Sequence, residues 1–357
     1  MSDINDFEIV NGELKKYKGK ATEAVIPYGV TSIGYRAFAG CSGLAGVVIP
    51  NSVTEIGESA FSACTKLTGV ALPNAITGIG DYAFNDCINL TDIEIPNSVT
   101  NIGIRAFGGC KKLSSAVFRE GETSIVIPDS AFEGCLDLTS VKFSNKVTHI
   151  GNCAFKDCEK LTHIVIPAYL SYIGRWAFKD CTNLTEVTLS DTAVSTETHE
   201  DIACIDKWAF EGCSNLKRVT LPYGITGIEE CAFANCSKLT SIAIPDTVTV
   251  IGHNAFKSCY KLKEPVLPGS LTVIGESAFD NCKRVKRIVI PPGVTSIGDY
   301  AFYNCQRLTC IVIPDSVTDI GRNVFGWCIN LTHIVCPDTV AALLDDYLRE
   351  RTVATEE

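Results

Sequence analysis

Eighteen cysteines and five histidines are the residues of this 357-residue chain best suited to metal binding, thiol redox chemistry or nucleophilic attack. Their spacing argues against all three. Thirteen of the cysteines form one column that runs from Cys41 to Cys328. Its intervals are 23, 23, 23, 25, 23, 23 and 32 residues, then 23 five more times. The others are Cys153, Cys204, Cys231, Cys310 and Cys336, and no two cysteines make a C-x-x-C pair, so zinc-ribbon and thioredoxin-type sites have no support. A free cysteine packs as a small buried hydrophobe, and that is the reading of the column. The histidines (His149, His163, His199, His253, His333) fall in different copies of the repeat and predict no metal site. G-x-S-x-G, P-loop and H-E-x-x-H motifs are absent from the sequence, so no catalytic residue and no cofactor is expected.

The cysteine column is one letter of a longer phrase. Aligned on it, each copy reads approximately V-x-x-I-G-x-x-A-F-x-x-C-x-x-L-x-x-V-x-I-P, as in "IGESAFSAC" at 56–64 and "IGDYAFNDC" at 79–87. A fixed period between 20 and 50 residues marks a solenoid. The expected fold is a repeat solenoid of about 13 coils. Period-2 alternation in L-x-x-V-x-I-P predicts a short parallel strand closed by proline. The stretch I-G-x-x-A-F-x-x-C predicts a short helical or 3-10 turn on the opposite side. Its glycine is replaced by Pro128, Asp206 and Glu229 in three copies. Proline cannot take positive φ, so the position reads as a helix start rather than a left-handed turn.

Three segments are predicted from this pattern. Residues 1–24 form an N-terminal hairpin cap around Asn11-Gly12, the strongest short hairpin signal. Residues 25–336 form the solenoid, with irregular coils at 111–135 and 182–213. Residues 337–357 form a capping helix and tail. There Val340, Leu343, Leu344, Tyr347 and Leu348 make one apolar face, and Asp338 or Thr339 caps the start.

The repeat "VIPDSVTDIGRNVFGWCINLTHIV" and the opening "FEIVNGELKKYKGKATEAVIP" resemble the BspA-like, Treponema-type leucine-rich repeat proteins, over about 25–336. The resemblance implies a leucine-rich-repeat-like right-handed superhelix, a curved solenoid with its short parallel strands on the concave side. It also implies non-enzymatic binding of a partner protein, of the kind described for bacterial surface proteins that contact host or matrix proteins. A net charge of −10 argues against nucleic-acid partners and anionic membranes. No apolar stretch is long enough to span a bilayer. The N-terminus lacks the charged-then-apolar pattern of a secretion signal, so a cytoplasmic location is expected. The resemblance implies the alternative, cell surface or secreted.

Two outward columns on the strand face carry the candidate binding site. One ends in uninterrupted valine: Val266, Val289, Val312 and Val335. An exposed β-branched strip serves a partner or a second copy of the chain. The companion column is variable and charged, and from it His163, Glu186, Arg218, Glu264 and Arg287 are the orienting residues. The expected function is a scaffold that binds a partner protein through this face. The alternative is a self-associating structural protein with no separate ligand. Pro265 sits where a strand residue belongs and should weaken the ladder locally.

Overall fold

The computed structural model describes residues 3–167, 170–189, 205–221 and 224–344. The insertion at 190–204, and Tyr347 and Leu348 of the predicted apolar face, lie outside the described residues. The chain is a parallel-strand β-solenoid of about 13 coils, with almost no helix among the described residues. It divides into two compact units, Met1–Leu170 and Ser171–Glu357.

One coil of the first unit shows how the phrase folds. Glu55–Ile56 is a two-residue strand, paired in parallel with Ser32–Ile33 and with Gly78–Ile79. The chain then passes through four hydrogen-bonded turns: the N–H groups of Ala60, Ser62, Cys64 and Leu67 donate to the carbonyls of Gly57, Ser59, Phe61 and Cys64. A second strand, Gly69–Val70, pairs in parallel with Gly46–Val48. Each regular coil therefore contributes to two ladders, an x-I ladder and a V-x-I ladder. Periodicity shows only the second, because a two-residue strand has no period to detect.

The arc between the ladders is not helical. Ser59 (φ 54°) and Ala63 (φ 57°) are left-handed, and the equivalent positions are left-handed in every coil, from Arg36 and Gly40 to Asn323 and Trp327. A left-handed residue every fourth position reverses the chain before an i→i−4 bond can close. The freed N–H groups of Ser59, Phe61 and Ala63 donate instead to Asp81, Ala83 and Asn85 of the next coil, at 2.7–2.8 Å. The expected helical turn is thus a third set of inter-coil hydrogen bonds.

The glycine after isoleucine does not take positive φ, as Pro128 implied, but it starts no helix. It sits where stacked backbones touch. A Cβ on Gly57 would lie 2.8 Å from the carbonyl oxygen of Ile33, and one on Gly103 would lie 2.2 Å from the amide nitrogen of Asp81.

Aromatic rings fill the interior of each unit. In the first, Phe38, Phe61, Phe84, Phe107, Phe132 and Phe155 stack at 4.8–5.4 Å between centroids. In the second, the stack runs from Phe178 to Phe325 at 5.1–6.0 Å. Phe118 and Phe143 stand where other coils place the last isoleucine of V-x-I, and each meets the stack edge-on, on Phe132 and Phe155. Phe118 lies in the irregular coil, where Arg119 replaces the usual proline, and Phe143 in the next, where Ser144 does.

At the N-terminus β1 (Phe7–Val10) and β2 (Glu13–Tyr17) form an antiparallel hairpin. Asn11 (φ 51°) and Gly12 (φ 79°) supply the two left-handed residues of its turn. Phe7 and Tyr17 continue the ring stack onto Phe38. At the other end α1 spans only Asp338–Ala341 among the described residues. Pro337, not Asp338 or Thr339, is its N-cap, and it makes no side-chain cap bond. Val340 and Leu344 are buried, whereas Leu343 is exposed.

Candidate binding face

The V-x-I ladder sets alternate side chains in and out because successive Cβ atoms in a strand point to opposite faces. In Arg287–Val289 the pattern is exposed, buried, exposed. Parallel pairing aligns Val289 with Val312 and Val312 with Val335. The same register sets Arg287 beside Cys310, and Cys310 beside His333. Val289 is 53% exposed, while Val312 and Val335 are half-buried.

Val266 belongs to the same column but not to the ladder. No strand forms at 264–266, where Pro265 withholds a donor. The described V-x-I strands of the second unit accordingly fall into two runs, Glu186–Leu189 to Ser241–Ala243 and Arg287–Val289 to His333–Val335. Val266 stands in the interruption, 76% exposed. Glu264, on the other side of Pro265, is exposed as well.

The charged column is partly self-neutralised. Glu186 pairs with Arg218 on adjacent strands, and its Oε1 accepts from Arg218 Nε at 3.0 Å and lies 2.9 Å from its NH2 nitrogen. Arg287 and Glu264 have no such ion pair among the described residues. His163 is exposed on strand His163–Ile166 of the first unit, with Nδ1 3.2 Å from Thr162 Oγ1. The structure groups Glu264, Val266, Arg287, Val289, Val312 and Val335 in one stretch of the second unit; Glu186 and Arg218 lie in the other run of its strands.

The cysteines of the repeat column are buried free thiols, apart from Cys41, which is partly exposed. Eleven of them, among the described residues, have a donor role that the sequence hides. Cys64 donates its Sγ–H to the carbonyl of Phe38 in the preceding coil at 3.1 Å, and Cys236 does the same to Phe210 at 3.2 Å. Burial pushes the thiols of Cys213, Cys236 and Cys282 well above the ordinary range, and that of the half-buried Cys41 up to about 11. A protonated, enclosed thiol is neither a nucleophile nor a metal ligand. Among the described residues no three His, Cys, Asp or Glu side chains are grouped to hold a metal ion, and no helix is long and apolar enough to cross a membrane.

Two features escaped the sequence reading. Trp176 and Trp208 stack at 5.2 Å, both at left-handed positions. On the x-I ladder, Val250 and Val273 floor a groove edged by acidic side chains. The signal for both was the column of residues around the glycine, whose geometry periodicity does not reveal.

A stack of short parallel strands around a leucine-and-phenylalanine interior, one coil per repeat, defines a leucine-rich-repeat solenoid. The chain belongs to the family described as BspA type leucine rich repeat region (6 copies), whose sequence model matches residues 14–126, 125–263, 194–309 and 249–351. It is similar to a solved leucine rich cell surface protein from Faecalibacterium prausnitzii. That match has 32% identity over 94% of this chain and 92% of that one, with a TM-score of 0.55. It is also similar to a leucine-rich repeat protein from Bacteroides ovatus, at 26% identity over 97% and 94% of the two chains, with a TM-score of 0.58. No curated protein matches the chain.

Proposed function

We propose that this protein is a non-enzymatic scaffold that binds a partner protein through the outward face of the V-x-I ladder in its second unit. The observation that carries this reading is the row Val289, Val312, Val335, held in register on parallel strands beside the protruding Val266. β-Branched side chains on a rigid sheet lose little rotamer freedom when covered. Val266 and Val289 are the anchors, because they have the most surface left to bury. Arg287 and Glu264 orient the partner, while the Glu186–Arg218 pair presents a neutral rim. His163 is a separate contact on the first unit. The cell surface is the site of action, by likeness to the Faecalibacterium prausnitzii protein described as a cell surface protein, and a host or matrix protein is the partner class. Surface plasmon resonance against a panel of matrix proteins tests the reading. Binding by the native chain should be lost in the triple variant Val266→Asp, Val289→Asp, Val312→Asp, and retention by that variant overturns the site.

The alternative is self-association, in which the exposed Val266 and Val289 meet those of a second copy. Light scattering over a concentration series separates the two, since a monomer at every concentration removes it.

A further inference from the structure

The x-I ladder of the second unit carries a groove of about 360 Å³. It lies on a different ladder from the valine row. Its floor follows a row of four parallel strands: Val250 pairs with Val273 and Val273 with Ser296 in the groove, and Gly227 precedes Val250 in the same row. Val250 is exposed and Val273 half-buried, so the floor is apolar and open. Along one side stand Glu230, His253, Glu276 and Asp299, the residues that follow the glycine column.

Part of that wall is already compensated. Lys207 pairs with Glu230 at 3.1 Å, and Arg322 pairs with Asp299 at 3.0 Å. His253 Nδ1 accepts the backbone N–H of Glu276 at 3.2 Å, which fixes the ring against the wall. Two carboxylates are left without a close cation among the described residues. Glu276 has His253 at 4.0 Å and feels the more distant charge of Arg322, which is already paired with Asp299, and Glu229 has no ion-pair partner among the described residues. Glu229 is unusual by position, because it replaces the glycine found in ten other coils. Its side chain folds over the floor, with Oε1 3.1 Å from where a Cβ on Gly227 would be. The groove thus combines an apolar floor with one unpaired carboxylate at its end and a weakly compensated one midway along its wall.

We propose that this groove docks an extended segment of a partner protein in which aliphatic residues are flanked by lysine or arginine. The methylene stems of those basic residues lie on Val250 and Val273, as long cationic side chains do on apolar surface. Their charged ends reach Glu229 and Glu276 in charge-assisted hydrogen bonds. The net charge of −10 attracts such a segment before contact. Stacked strands are about 4.8 Å apart and an extended chain rises about 3.4 Å per residue, so four strands match about four or five residues.

The test is fluorescence anisotropy with two fluorescein-labelled peptides on the full chain at low salt. One has lysine at both ends and valine and alanine between; in the other, glutamate replaces lysine. The lysine peptide should bind, with an affinity that falls as salt is raised, and the glutamate peptide should not. Glu229→Gln and Glu276→Gln should each weaken binding about threefold or more. Glu276→Gln alone decides the matter if the Glu229 variant fails to fold. Equal binding of the two peptides overturns the proposal, as does an unchanged affinity in the Glu276 variant. The triple valine-to-aspartate variant must leave peptide binding intact; if it abolishes binding, the peptide sits on the valine row and the groove is not the site.

Discussion

A carbonyl oxygen has two lone pairs, and a buried one is costly to leave half-used. In each regular coil the phenylalanine carbonyl accepts the turn bond from its own cysteine amide and a second bond from the thiol of the next coil, as Phe38 does from Cys41 and Cys64. This is a reason for cysteine rather than alanine or valine in the column. Cys236→Ala should cost about 1–2 kcal/mol, from a lost weak hydrogen bond and a small cavity. Cys310→Ala, on the outward column, should fall within about 0.5 kcal/mol of the native chain, as surface changes usually do. Urea unfolding compares the two. Burial raises these thiols in the native state, whereas an unfolded thiol ionises near about pH 8.5. As pH rises past that value the unfolded chain loses protons first. Stability is therefore full below about pH 8.5 and falls above it, by about 1.4 kcal/mol per pH unit for each such thiol. Thermal unfolding between pH 7 and 10 should show the fall, with a shallower slope in Cys236→Ala.

Strands of two or three residues are too short to hold together alone, so each element here depends on what the neighbouring coil allows. The glycine column sets how closely coils approach. Gly103→Ala places a methyl group 2.2 Å from the Asp81 nitrogen, and the coils must part locally. A loss of about 2–3 kcal/mol is expected from overpacking against backbone, read by thermal or urea unfolding. Pro265 is the opposite case, an element missing for want of one donor. Pro265→Ile should extend the ladder through 264–266, between Ser241–Ala243 and Arg287–Val289. Hydrogen exchange at those amides should slow if the strand forms. The same change tests whether the exposure of Val266 depends on the interruption. Sequence periodicity exposed the V-x-I strand and its in-out alternation, and it marked Pro265 as a weak point. It missed the x-I strand and took the arc for a short helical or 3-10 turn, because the left-handed residues at Ser59 and Ala63 are not distinctive by type.

Stacked repeats contact chiefly their neighbours, so the stability of an array is roughly a sum of coil and interface contributions. Removing one whole period, residues 249–271, brings Val248 to Thr272 and keeps every column in step. The shortened chain should fold and unfold cooperatively with a lower Tm. Removing half a period places polar residues where phenylalanine and cysteine belong, and that chain should be unfolded by circular dichroism. The 23-residue spacing and the fixed Phe, Ala, Leu and Cys positions by themselves determined that this is a solenoid, which residues form its interior and which columns face out. Those features repeat along the chain, and a repeat is visible in one dimension. The tertiary structure alone decided which outward residues neutralise one another, as Glu186 and Arg218 do, and which stay available, as Val266 and Glu229 do. Availability depends on what lies beside a residue in the next coil, about 4.8 Å away in space but 23 or more residues along the chain.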